Sequence, residues 1–250
     1  MASRGASSRP ATPGAAASRS DASRPVEDPA ASRRAERRLQ QQELSRTQLL
    51  DAAEEVFGTK GYHEATLKEV AELAEFSVGS VYSFFANKDD LFLSVLLRRG
   101  AQFLPGMAEA VASSADPVEQ LHALVAFEVG FFRAHPHFAR LYLRTSAPAM
   151  MPAEVADSAE LAANTAEAMA IHAGVFERGQ AADVLRDGSP RALARLLSGV
   201  VVAFQAADPV VQSATDAADA ADATDATEDA DALSLEQLHD LVTDAFVVRS

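Results

Sequence analysis

The sequence predicts an all-α protein of about nine helices. Three observations carry that expectation. Apolar residues recur at three- and four-residue spacing in nearly every segment after Ser45. Pro117, Pro136, Pro152 and Pro190 each stand where such a stripe begins, a place a helix accepts proline. No stretch shows the strict alternation of apolar and polar residues that a half-buried strand requires.

The elements follow in order. Residues 1–31 hold Ala, Ser, Arg, Pro and Gly with almost no bulky apolar residue. Such a segment cannot bury enough surface to offset its ordering entropy, so disorder is expected. SRRAERRLQQQ (32–42) is basic, then polar, and carries no apolar stripe; it either extends the following helix or belongs to a basic tail spanning 1–44. Order is expected from Ser45, where Leu49, Leu50, Ala53, Val56 and Phe57 make a helical stripe that Gly61 stops. Thr66 and Glu69 form a capping box for a second helix, with Leu67, Val70, Ala71 and Ala74 inward. Ser77 caps a third helix that buries Val78 or Val81, and Phe85. Asn87 caps a fourth, with Leu91, Phe92, Val95 and Leu96 inside.

Beyond Pro105 the pattern stays helical. Pro117 opens a helix through Leu121, Leu124, Val125, Phe127, Phe131 and Phe132, and Pro136 a short one through Phe138, Leu141 and Tyr142. Pro152 precedes a long helix ending near Gly179. Pro190 opens another, with Leu193, Leu197, Val200, Val201 and Phe204. Residues 207–233 are an Ala/Asp-rich low-complexity stretch, expected to be a flexible acidic loop. A last helix is expected from Leu235 to Val247. The chain therefore divides into a disordered basic tail (1–44), a compact helical head (45–97) and a larger helical bundle (98–250).

Composition narrows the function. Net charge is −14, but it is unevenly spread. Residues 1–44 carry eight Arg against five acids, whereas 207–233 carry eight acids and no base. The overall sign thus does not exclude a nucleic-acid partner. There is no Cys, which excludes disulfides and thiolate metal sites. His135 and His137 bracket Pro136 without further ligands, so surface or capping roles are expected and no metal. No phosphate-binding loop, HExxH or nucleophile–base arrangement is present, so neither an enzyme nor a cofactor is expected. No run of about 18–20 apolar residues would span a bilayer. With no secretory signal either, a cytoplasmic protein without a membrane partner is expected.

The stretch TLKEVAELAEFSVGSVYSFFANKDDL (66–91) carries the chemistry. Two short helices with a tight corner make a helix-turn-helix. Ser77, Gly79, Ser80 and Ser83 give the second helix a slim, hydrogen-bonding face of the kind that enters the major groove. Gly79 inside a helix costs about 1 kcal/mol against Ala, which close approach to another backbone would explain. FGTKGYHEATLKEVA and SVYSFFANKDDL, within residues 45–97, resemble the DNA-binding region of the TetR family of bacterial transcription regulators. The resemblance implies that Thr66 and the 61–63 corner touch phosphate, and that Ser77, Val78, Gly79 and Ser80 meet base edges. It further implies phosphate contacts from Tyr82 and Lys88, with Val81 and Phe85 as core.

Three departures matter. The corner reads Ala74-Glu75-Phe76-Ser77 where A-G-V-S is usual, placing Glu at a left-handed position at a cost of about 1 kcal/mol. Val78 stands where a Lys or other polar residue is common, and Phe84 where a His is common. Phosphate contacts are lost, and Arg33, Arg34, Arg37 and Arg38 are the available substitute, tracking the backbone or entering the minor groove. The other reading of that arm is a solvated tail.

The family further implies a small apolar or amphipathic ligand in the bundle. Candidate lining residues are Phe127, Phe131, Tyr142, Asn164, Met169, His172 and Phe176, each with ordinary core as the other reading. Leu193, Leu197, Val200, Phe204, Leu238, Val242 and Phe246 form stripes that either pair across a two-fold axis in a homodimer or bury within the subunit. The expectation is a ligand-responsive regulator that binds a palindromic operator in double-stranded DNA as a dimer, represses, and is released by a small molecule. The alternative is a helical small-molecule or protein-binding module without DNA binding.

Overall fold

The computed structural model describes residues 29–145, 151–213 and 232–249. The expectation of disorder over residues 1–28 lies outside them, as does most of the acidic stretch. Eleven helices are present among the described residues: α1 Pro29–Glu64, α2 Leu67–Leu73, α3 Val78–Phe84, α4 Lys88–Ala112, α5 Pro117–Ala134, α6 Pro136–Thr145, α7 Ala153–Ala156, α8 Ala159–Ala181, α9 Pro190–Ala207, α10 Pro209–Gln212 and α11 Leu235–Phe246. No strand occurs among them; a lone antiparallel bridge joins Leu185 to Val247. None of these helices is long and apolar enough to cross a membrane.

The chain forms two compact units, residues 1–42 and 43–250. In the first, residues 29–42 are helical. The disordered tail expected to reach residue 44 is thus corrected over its described part: the helix begins at Pro29, earlier than the apolar stripe indicates. Ala, Arg, Glu and Gln are strong helix formers, so propensity rather than burial accounts for the extra turns. Arg33, Arg34, Arg37 and Arg38 are exposed, and Arg37 Nε donates to the Arg33 carbonyl at 3.2 Å.

In the second unit, one buried cluster joins Leu49, Phe57, Val70, Val81, Phe85 and Phe92 with Phe138 and Leu141 of α6. Another joins Met107, Leu121, Leu124, Phe176, Leu197 and Val242 in the bundle. The caps form as read. Thr66 and Glu69 make both halves of the capping box, Ser77 accepts from the Ser80 N–H, and Asn87 accepts from the Asp90 N–H. Gly61, at φ 78°, kinks the end of α1 instead of closing the chain's helical run there.

Two single-turn helices make up the excess over nine. The long helix expected after Pro152 breaks into α7 and α8, because Ser158 supplies a new cap, accepting from the Leu161 N–H. The start of the acidic stretch is also ordered. Asp208 caps α10, is 3 % exposed, and accepts from Arg133 Nε at 2.6 Å, while Val211 is buried. A pure flexible loop over 207–233 is thus corrected at its first turn.

Candidate nucleic-acid interface and ligand cavity

The corner of the helical hairpin is built by backbone geometry. Glu75 sits at φ 60°, the left-handed position. Phe76 N–H bonds to the Ala71 carbonyl at 2.8 Å and Glu75 N–H to the Glu72 carbonyl at 3.2 Å. That is a Schellman closure, which needs a left-handed residue after the helix and tolerates Glu at a cost of about 1–2 kcal/mol. Phe76 packs against the buried cluster and anchors the corner.

On α3 the two sides separate cleanly. Val81 is fully buried, with Phe85 beneath it. Val78, Gly79, Tyr82 and Ser83 face outward, and Tyr82 is 56 % exposed. Val78, left open in sequence against Val81, is therefore the outer residue. The serines are tied to the helix itself. Ser77 Oγ lies 2.8 Å from Ser80 Oγ, and Ser83 Oγ donates to the Ser80 carbonyl at 2.6 Å. These bonds lock the rotamers of a slim, weakly charged face.

The flanking residues are partly committed. Thr66 gives its one hydroxyl proton to Glu69 Oε2 at 2.9 Å, so a phosphate contact from that hydroxyl would require the cap to rearrange. The Lys60 ammonium and the Thr66 donors hold the Glu69 carboxyl well down, at about 2. Lys88 Nζ donates to the His63 carbonyl at 3.3 Å and stands 4.4 Å from the Tyr62 ring centroid. An ammonium has three donors, so Lys88 keeps two for other partners. Burial, then the hydrogen bond to Asp89, raises the Tyr62 hydroxyl to about 12. It stays a neutral donor, holding the end of α1 to the start of α4.

The head is fastened to the bundle through α1. A Cβ on Gly58 would lie 2.4 Å from the His137 carbonyl oxygen of α6, so only glycine permits this approach. Glu54, buried in α1, takes a bidentate pair of bonds from Arg99 at 2.7 and 2.8 Å and one from Arg98 at 2.8 Å. Arg98 also reaches Asp51 at 2.6 Å. The same stretch of α4, through Leu96, Gly100 and Phe103, lines a cavity.

That cavity, about 120 Å³, is walled by Leu96, Gly100, Phe103, Phe138, Tyr142 and Leu161, with Asn164 and Met169 on α8. Three of the predicted lining residues, Tyr142, Asn164 and Met169, therefore meet there. His172 belongs to a smaller space of about 30 Å³ beside it. Phe127, Phe131 and Phe176 do not line it. Phe127 and Phe131 pack tilted and edge-on against Phe103, with ring centroids 5.7 and 5.0 Å apart, and Phe176 is fully buried against Phe246 at 5.3 Å. Periodic aromatics on a helix facing the core satisfy the core first. Sequence reading missed Gly100, Phe103, Glu128 and Gln205. The last two were detectable, since each is a polar residue standing in a buried apolar stripe.

The dimer stripes also need correction. Leu197, Phe204, Leu238, Val242 and Phe246 are buried inside the subunit, and Leu193 and Val200 are half-buried. The large apolar residues left outward on the same helices are Leu196 and Leu241, 61 % and 50 % exposed; Gly199 and Ala203 of α9 are exposed too, and Ala203 and Leu241 line one hollow.

Residues 49–95 match the family described as bacterial regulatory proteins, tetR family. The HTH-type transcriptional repressor NicS of Pseudomonas putida is 31% identical over 150 residues, which are 60% of this chain and 70% of that one. The chain belongs to the TetR family. It is therefore a DNA-binding transcription regulator and not an enzyme, and the alternative of a binding module without DNA falls away. Two solved TetR-like structures show the same fold. FadR of Bacillus subtilis in complex with stearoyl-CoA aligns with TM-score 0.56 and 21% identity, over 68% of this chain and 94% of that one. AibR in complex with isovaleryl coenzyme A and operator DNA aligns with TM-score 0.64 and 18% identity, over 81% and 98%.

Proposed function

We propose that the protein is a homodimeric, cytoplasmic repressor that inserts α3 into the major groove of a palindromic operator and lets go when a small apolar or amphipathic molecule fills the α4–α6–α8 cavity. The observation that carries this is the outward face of α3: Val78, Gly79, Tyr82 and Ser83 are exposed on a helix whose other side is sealed in the core. A slim helix face can approach base edges, while Tyr82 and the spare donors of Lys88 reach the flanking phosphates. AibR was solved with operator DNA and an acyl coenzyme A, and NicS is named a repressor, which supports both halves of the reading. DNA selected from random sequence should return a palindrome with half-sites about one helical turn apart. Recovery of no enriched site would end the proposal.

Release follows from the wiring of α4. Gly100 and Phe103 touch the cavity, and Arg98 and Arg99, immediately before Gly100, grip Glu54 on α1. A ligand that displaces this turn moves α1 and the head it carries. By linkage, the ligand weakens DNA binding by its own preference for the displaced state.

Dimerisation is assigned to the outer faces of α9 and α11. Gly199 and Ala203 let a partner helix come close, and Leu196 and Leu241 supply apolar area. Leu241→Glu is expected to leave helicity intact and weaken the dimer more than about 100-fold, roughly 2.7 kcal/mol, by sedimentation. A dimer of unchanged strength would place the interface elsewhere.

The Arg33, Arg34, Arg37 and Arg38 arm is assigned to the DNA backbone. Each phosphate it neutralises should steepen the salt dependence by about 0.9 log units per decade. Deleting residues 1–38 should flatten that slope, measured by fluorescence anisotropy. An unchanged slope would leave the arm as a solvated tail.

A further inference from the structure

The inner end of the ligand space is polar in a specific way. Phe103, Phe132, Tyr142, Ala168 and Met169 line both the apolar cavity and the small space beside it, so the two share walls. The small space is closed by Glu128, His172, Ser198 and Gln205. His172 Nε2 lies 2.6 Å from Glu128 Oε1, and Nδ1 lies 2.9 Å from the Ala168 carbonyl oxygen. Burial would lower the His172 pKa, but the Glu128 carboxylate outweighs it and holds the ring above its ordinary range. Both ring nitrogens of His172 are thus already engaged, one by Glu128 and one by the Ala168 carbonyl. Gln205 is 1 % exposed, and neither its amide oxygen nor its amide nitrogen has a protein partner. Leaving both ends of a buried amide unpaired costs about 1–3 kcal/mol per group, so their retention asks for a partner. No Lys or Arg lines either space.

We propose that this pole recognises the head of the ligand, and that the head is a neutral amide or lactam on an apolar body about the size of one aromatic ring. The inference rests on the cavity being the ligand site and names what that site takes. An amide offers Gln205 an acceptor for its N–H and a donor for its carbonyl at once. A carboxylate or phosphate would find amide and hydroxyl donors, from Gln205, Ser198, Tyr142 and Asn164, but no free cation, and having no proton to give it would leave the Gln205 carbonyl unpaired. Size follows from volume: an engineered protein cavity of roughly 150 Å³ holds one benzene. A coenzyme A thioester would have to leave most of its length outside.

The test is calorimetric titration of the full-length protein with benzamide, benzoate and toluene. Benzamide is expected to bind at least tenfold more tightly than benzoate. Gln205→Leu is expected to lose at least tenfold in benzamide affinity, to keep its toluene affinity, and to unfold at the same or a higher temperature, because an unpaired buried amide has gone. Gln205→Met, of similar length, gives the same reading should the leucine variant not fold. Benzoate binding as tightly as benzamide, or a Gln205 variant with unaltered benzamide affinity while toluene still binds, overturns the polar pole and leaves the cavity standing. Failure of both benzamide and toluene to bind removes the cavity as the ligand site and the proposal with it.

Discussion

Glu54→Ala is expected to lower stability by about 3 kcal/mol, the low end of the range for breaking a buried ion pair. Glu54 is 5 % exposed and is the shared acceptor for Arg98 and Arg99. Its removal strands the Arg99 guanidinium, whose side chain is 14% exposed, with only Gln102 at 2.8 Å. Arg98 keeps Asp51, which moderates the loss. For a chain of this size the unfolding midpoint should fall by roughly 6–12 °C at fixed protein concentration. Glu54→Gln should fall less, since the amide oxygen still accepts one bond. A ligand should also release DNA less completely in the alanine variant, because the polar link between α4 and α1 is cut back to the Arg98–Asp51 pair. A midpoint within about 2 °C of the parent, under 1 kcal/mol, would mean that this cluster holds nothing together.

Gly79→Leu is expected to cost DNA affinity at least about 100-fold, roughly 2.7 kcal/mol, without lowering stability. The nearest atom to a Cβ at Gly79 is Ser77 Oγ at 3.7 Å, so the isolated protein has room for it. Leucine is the better helix former by about 1 kcal/mol, so the unfolding midpoint should hold or rise. The branched side chain would instead stand where α3 meets the base edges. The separation of effects is the diagnostic: a gel shift lost with a midpoint kept. Retention of the shift would place the DNA on another surface.

Much of the helical hairpin was legible in sequence because its signals are local. A cap needs one side chain and a backbone N–H two or three residues on, so Thr66, Ser77 and Asn87 could be read from spacing alone. Glu75 at a left-handed corner was expected for a different reason, the TetR resemblance, which has Gly at that position. The start of α1 was not, because residues 29–44 are helical by propensity and carry no stripe to see. The break at Ser158 was hidden by Ala-rich sequence on both sides, which suits helix in either register. In the bundle, periodicity marks a buried face without saying what buries it. Hence Phe176 and Val242, at helical spacing, proved to be the subunit's own core. The residues that distinguish a cavity from a core are polar ones inside an apolar stripe, and Glu128 and Gln205 carried that signal.

The central claim is that α3 reads the major groove of duplex DNA. Methylation interference on a DNA site selected by the protein tests it most directly, since dimethyl sulfate marks guanine N7 in the major groove and adenine N3 in the minor groove. Guanine methylation should block binding at two symmetric clusters with centres about 10 base pairs, or one helical turn, apart. Interference confined to adenine N3, or a single cluster with no symmetric mate, would contradict the account.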